Sequence, residues 1–309
     1  MSEVSTPSSV ASTDFYRAAR ADMLARPVRG AGASRRSALT RLTDEWLTAV
    51  FEASGADGAA LLAVGGYGRG ELAPGSDLDL LLLVPETMNG RIDEVADRIW
   101  YPAWDSGVRI DHSVRTVAQA RRMAAQDVRV VLGLLDMRVV AGDTDLAERL
   151  RSSILADWRA MAAQRVEEMH MAALERRERS GELAHLLEPD LKESYGGLRD
   201  ATVLRAIAAS WLTDTDHHDV ANAYDDLLDI RDALHDEALA SGRRPGDTLL
   251  LQEQPAVAAR LELADDDALL RQVSTAARAI AFACDGTWHR VTRAARRRPA
   301  VPIVRRDRK

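Results

Sequence analysis

The sequence predicts an α+β protein: a short mixed sheet with its helices in the first half, helices alone in the second. Three observations carry this. Strand-like apolar runs stand at 61–64, 77–84 and 108–114, and strand signals stop near residue 144. Beyond that point apolar residues recur at three-to-four spacing, the period of an amphipathic helix. Alanine and arginine, both good helix formers, are abundant.

The bulk numbers fit two ordinary domains with real cores: 309 residues, 46% hydrophobic and 29% charged. A net charge of −7 argues against general nucleic-acid binding, which wants a basic face. Cys284 is the only cysteine, so no internal disulfide forms and a cytoplasmic setting fits. No apolar run approaches the ~18 residues that span a bilayer, so no membrane partner is expected.

Residues 1–13 are rich in Ser and Thr, lack the apolar core of a secretory signal and are expected to be disordered. Residues 14–54 read as helix through Leu39, Leu42, Trp46, Val50 and Phe51. LLAV (61–64) is the first strand and DLDLLLLV (77–84) the second, its unbroken leucines implying burial on both faces. Residues 91–101 return to helical spacing, and VRIDHSV (108–114) alternates as a third strand. Residues 121–143 read as a helix followed by a short strand at 137–141. Residues 144–180 make one or two long helices, 188–197 a loop, and 198–213, 217–241 and 266–297 further helices. The chain is expected to divide into 14–150 and 151–295, with the basic, Pro-broken stretch 296–309 as linker or tail.

Chemistry concentrates in GGYGRGELAPGSDLD (65–79), between the first two strands. Alternate residues of a strand share a face, so Asp77 and Asp79 project together while Leu78 and Leu80 enter the core. Two adjacent carboxylates repel unless a cation lies between them, and Mg²⁺ takes oxygen ligands from carboxylates and substrate phosphates. Asp77 and Asp79 therefore read as a metal–nucleotide site, with Asp111 of the third strand as the third ligand if the strands are neighbours. Gly65 and Gly66 let backbone N–H groups approach a phosphate. Arg69 can add a charge-assisted contact, and Ser76 can donate a hydroxyl or cap the turn. The segment is not a P-loop, because no Gly-Lys-Ser/Thr closes it.

In EPDLKESYGGLRD (188–200), Lys192 and Arg199 can reach a triphosphate from the helical half; an interdomain hinge held by salt bridges is the competing reading. DTDHHD (214–219) sits in a polar turn and reads as that rather than as a metal site. His112 reads as a packed histidine, and Trp100 and Trp104 as packing beneath the sheet.

Gly-Gly, then Arg-Gly-Glu, then Ser-Asp-x-Asp resembles the nucleotidyltransferase superfamily of DNA polymerase β and kanamycin nucleotidyltransferase. More narrowly, GGYGRGELAPGSDLDLLLL resembles the N-terminal domain of the bacterial PII uridylyltransferase/uridylyl-removing enzymes. WYPAWDSG (100–107), VRIDHSVRT (108–116), EPDLKESYGGLRDATVLRAIA (188–208) and DIRDALH with LLLQEQPAVAARL (229–261) follow in that family's order. The resemblance covers roughly 45–295. It implies a polymerase-β-like nucleotidyltransferase domain over 14–150, a helical domain after it, and Mg²⁺-dependent transfer of UMP from UTP to a tyrosine of the PII signalling protein. Relatives in some high-GC bacteria use ATP instead, and the sequence leaves UTP and ATP open. The resemblance carries Asp77 and Asp79 over as metal ligands and Gly65 and Gly66 as the phosphate loop. Asp111 departs from the pattern, since many members have glycine there. The family's HD hydrolase and glutamine-sensing ACT domains have no counterpart in 1–309, so transfer without removal or sensing is expected. Two other readings stay open: a superfamily enzyme with another acceptor, and an inactive PII-docking module.

Overall fold

The computed structural model describes residues 12–26, 32–88, 90–213 and 218–297. At its centre is a four-stranded mixed sheet in the order β3-β2-β1-β4. Strand β1 (Ala60–Ala63) pairs antiparallel with β2 (Leu78–Leu83) and with β4 (Arg138–Gly142), and β2 pairs parallel with β3 (Ile110–Arg115). The inner position of β1 and β2 explains their apolar sequence, interrupted in these strands by Asp79 near the start of β2. Leu61, Ala63, Leu78, Leu80 and Leu82 enter one core, while Ala60, Leu62, Leu81 and Leu83 enter another on the opposite face. Each fully buried leucine contributes roughly 1.5–3 kcal/mol. By alternation, Asp79 faces the second core.

The first core is closed by α1 (Thr13–Ala25), α2 (Ala33–Ser54) and α4 (Ile92–Asp105), with α3 (Gly65–Gly68) the short turn after β1. Tyr16 of α1 stacks on Trp46 of α2 with ring centroids 4.1 Å apart. The helix expected over 14–54 is therefore two packed helices.

Helices fill the other side. The segment 121–143 is also divided: α5 (Val117–Gln126) ends at Asp127, whose side chain accepts from Arg129 N–H and starts α6 (Val128–Leu135). A capping box of Thr116 and Gln119 begins α5 four residues earlier than the spacing predicts. Helix α7 (Thr144–Ser180) is continuous and crosses residue 150, so the two expected parts share one element. Against it pack α8 (Leu198–Ala209) and α11 (Asp266–Arg297), and α9 (His218–Ala240) and α10 (Gln254–Arg260) pack in turn on α11. Trp158 of α7 donates its indole N–H to the Ala206 carbonyl of α8 at 2.8 Å. Among the described residues no helix is long and apolar enough to cross a membrane. Residues 1–11 of the N-terminal segment, 214–217 of DTDHHD and 298–309 of the basic stretch lie outside the described residues.

A buried ionic clamp ties α2 to α9. Arg36 Nη1 donates to Asp229 Oδ1 at 2.7 Å and to Asp232 Oδ2 at 2.6 Å, and Arg35 Nη2 donates to Asp236 Oδ2 at 2.5 Å. Gly32 N–H completes the contact to Asp229 Oδ1 at 2.9 Å. Burial pushes the Asp232 carboxyl up to about 6 against the pull of Arg36. Removing one member of a buried pair strands the other charge in a dry site. Arg36→Ala is expected to lower unfolding free energy by about 3–5 kcal/mol in urea denaturation.

Candidate active site

The site is built where β1 and β2 end. Val64 N–H donates to the Asp79 carbonyl at 3.0 Å, holding the two strand ends together. Gly65 then turns with φ 57°, and a Cβ there would stand 3.1 Å from Asp79 Oδ2. Only glycine lets the backbone bend left-handed this close to the acid.

The rest of the loop is pinned by named partners. Tyr67 OH donates to Asp44 Oδ1 at 2.6 Å, and Arg138 Nη1 donates to the other oxygen of Asp44 at 2.8 Å. Arg69 donates to Glu71 at 2.6 Å and to Asp136 at 2.5 Å. Glu71 Oε2 also accepts from Tyr224 OH of α9 at 2.7 Å. Ser76 Oγ accepts from Ala73 N–H at 3.0 Å, so its side chain caps the turn.

The parallel register sets Asp79 directly beside Asp111, one position along from Leu78 and Ile110. Leu78 N–H donates to the Arg109 carbonyl at 2.8 Å, extending the pairing toward Asp77. Arg109 Nε holds Asp77 Oδ1 at 2.6 Å, with both side chains about half exposed. An ion pair that open to water contributes about 1 kcal/mol or less. Asp79 is more enclosed. Burial, then the charges of Asp111 and Asp77, push its carboxyl up to about 6, while Lys192 and Arg69 pull it down. Among the described residues no three His, Cys, Asp or Glu side chains converge as a ready-made metal cage. The donor set nevertheless suits Mg²⁺. It is all carboxylate oxygen, and the Asp79 carboxylate is destabilised by its like-charged neighbours in the way a divalent cation would relieve.

Facing these acids is a cleft of about 370 Å³, within the range of small-molecule sites. Gly65, Gly66, Arg69, Ser76, Asp77 and Asp79 line its sheet side, and Lys192 and Arg199 its helical side. The structure thus brings the predicted residues together, with Asp111 next to Asp79 but outside the lining. They differ in how firmly they are held. Arg199 donates through Nε and Nη2 to Glu193 of the same segment at 2.6–3.0 Å, so its charge is already locally paired. Lys192 Nζ is 4.0 Å from Asp247 Oδ2, and its charge acts on Asp79. The backbone of its loop is set by Asp190 Oδ1, which accepts from Lys192 N–H at 2.9 Å and Glu193 N–H at 2.7 Å. His112 packs between Trp100 and Trp104, with ring centroids 4.7 and 5.4 Å away.

The sequence reading missed Arg109, Tyr224, Arg231, His235 and Asp247, all in the cleft wall. One signal was available: Arg231 and His235, four apart, form a polar stripe on a helix otherwise packed through Leu227, Leu228, Ile230 and Leu234.

Comparison with known proteins places the chain beside a defined group of relatives. A nucleotidyltransferase domain family matches residues 45–129, and a GlnD PII-uridylyltransferase family matches 159–209. A bifunctional uridylyltransferase/uridylyl-removing enzyme of Streptomyces coelicolor is 54% identical over 292 residues, covering 94% of this chain and 34% of the relative. One from Mycobacterium tuberculosis is 38% identical over 279 residues, covering 87% and 34%. One from Burkholderia vietnamiensis is 41% identical over 209 residues, covering 66% and 24%. The chain spans about a third of the length of the first of these curated relatives.

A carboxyl raised from its ordinary value favours folding only while it is protonated. For Asp79 that contribution is present below about pH 4 and is lost as pH rises through about 6. Asp79→Asn is therefore expected to stabilise the metal-free protein at pH 7 by about 1–3 kcal/mol, a gain that disappears by about pH 4. Thermal denaturation of both forms across this pH range measures it.

Proposed function

The chain belongs to the family of the bacterial PII-uridylyltransferases, matching their nucleotidyltransferase part, and on that premise we propose that it transfers a nucleoside monophosphate from UTP or ATP to a tyrosine hydroxyl of a PII signalling protein. The observation that carries this reading is the in-register pairing of Asp79 with Asp111, where Asp79 lines the cleft beside Gly65 and opposite Lys192 and Arg199.

Asp77 and Asp79 would hold Mg²⁺, with Asp111 as a further ligand. The bound ion would supply charge neutralisation on the phosphates. The protein's own groups do the rest. N–H groups of Gly65 and Gly66 donate to the triphosphate tail, and Lys192 meets it from the opposite wall as the more loosely held cation. Arg69 and Arg199, each already held by carboxylates, support the walls and lend longer-range charge. Asp111 takes the proton of the attacking hydroxyl. The tyrosine oxygen bonds to the α-phosphorus as the bond to the bridging oxygen breaks, and pyrophosphate leaves in line. The expected division into 14–150 and 151–295 enters this reading as two walls of one cleft. A cytoplasmic setting, where nucleotide and Mg²⁺ are abundant, goes with it.

The test is incubation with Mg²⁺, PII and labelled UTP or ATP. Label on PII with one nucleotide, reduced about 100-fold or more by Asp79→Ala, is expected. No label with either nucleotide contradicts the reading, and PII binding without labelling favours a docking module.

A further inference from the structure

The turn that leads into the acids is fixed by a histidine from the opposite side of the cleft. Gly75 N–H donates to His235 Nδ1 at 3.2 Å. A ring nitrogen that accepts carries no proton, so the proton of the neutral ring sits on Nε2, which donates to Asp247 Oδ1 at 3.1 Å. The His235 side chain is only 2% exposed. Burial, the largest influence, lowers its pKa although Asp247 pulls the other way, which keeps the accepting form in place. Asp247 is anchored in turn: its carboxylate accepts from Arg231 Nε at 2.6 Å, and its carbonyl accepts from Leu191 N–H at 2.8 Å. Pro245 closes the contact, since a Cβ on Gly75 would lie 2.3 Å from Pro245 Cβ and 3.0 Å from His235 Nδ1. One line of contacts therefore runs from Leu191, beside Lys192, through Asp247 and His235 to Gly75, two residues before Asp77.

We propose that His235 is a positioning residue for nucleotidyl transfer: its neutral ring pegs the Pro74–Gly75 turn to α9 and thereby sets the direction in which Asp77 and Asp79 face Lys192 across the cleft. The proposal rests on the nucleotidyl-transfer reading. It assigns the ring no contact with substrate. Its effect is on the alignment of the reacting groups, which governs the chemical step more than nucleotide affinity.

Two variants of the full chain separate this role from bulk packing. His235→Asn keeps an acceptor where Nδ1 stands and loses the bond to Asp247. His235→Gln keeps a polar end near Nε2 and loses the acceptor for Gly75. In amide hydrogen exchange without nucleotide, His235→Gln is expected to exchange at 73–77 about fivefold faster or more, the factor for one lost buried hydrogen bond, while His235→Asn stays near wild type. In transfer to PII from Mg²⁺ with UTP or ATP, His235→Gln is expected to lose about tenfold or more in kcat with KM for the nucleotide changed less than about threefold, and His235→Asn to recover most of kcat. Wild-type exchange at the turn in His235→Gln, equal behaviour of the two variants, or faster exchange with unchanged kcat each overturns the proposal. If wild type itself transfers nothing, the nucleotidyl-transfer reading fails, and with it the catalytic part of the role, while the exchange comparison still decides whether His235 pegs the turn.

Discussion

Asp79 and Asp111 stand side by side on parallel strands, and their repulsion is the constraint around which this protein is arranged. A carboxylate enclosed beside two others is costly in a folded protein. Among the described residues no direct ion pair neutralises it. Arg109 is turned to Asp77, Arg69 to Glu71 and Asp136, and Arg199 to Glu193. The result is a negative edge facing Lys192 and Arg199 across the cleft. On the proposed function, stability given up locally at Asp79 would be restored by binding of metal and nucleotide.

Keeping such an edge open without collapse requires walls that do not move freely. Helix α9 supplies one of them. Asp229, Asp232 and Asp236 grip Arg35 and Arg36 of α2, Tyr224 reaches Glu71, and His235 reaches Gly75. The same helix therefore touches the outer layer of the sheet half and the glycine-rich loop. Buried ion pairs are poor sources of net stability, and here they fix how α9 sits against α2.

Much of this was legible in the sequence because it is local. LLAV and DLDLLLLV announce inner strands by composition, and the spacing of Asp77, Asp79 and the glycines announces that they gather in one place. Boundaries set by single side chains were less visible. Asp127 divides an apparently continuous helix by capping a new one, which apolar periodicity does not register. Least visible were partners far apart in sequence. Nothing near Gly75 indicates that a histidine 160 positions away accepts its N–H. Arg69 and Arg199 have acids close by in Glu71 and Glu193, but apolar spacing does not show that these acids hold them, and Asp136, the second partner of Arg69, lies 67 positions away, so both read more simply as phosphate ligands than the structure shows. Polar residues inside the apolar pattern of α9 were the overlooked signal, since such a stripe must face either water or another polar surface.

Asp77 and Asp79 are proposed to form a divalent-cation site completed by nucleotide. Electron paramagnetic resonance of Mn²⁺ titrated into the protein with a non-hydrolysable nucleoside triphosphate tests it most directly. Tight Mn²⁺ binding in wild type that depends on the nucleotide, and its loss in the Asp77→Ala, Asp79→Ala double variant, is the predicted result. Equal Mn²⁺ binding by the two proteins would contradict the account.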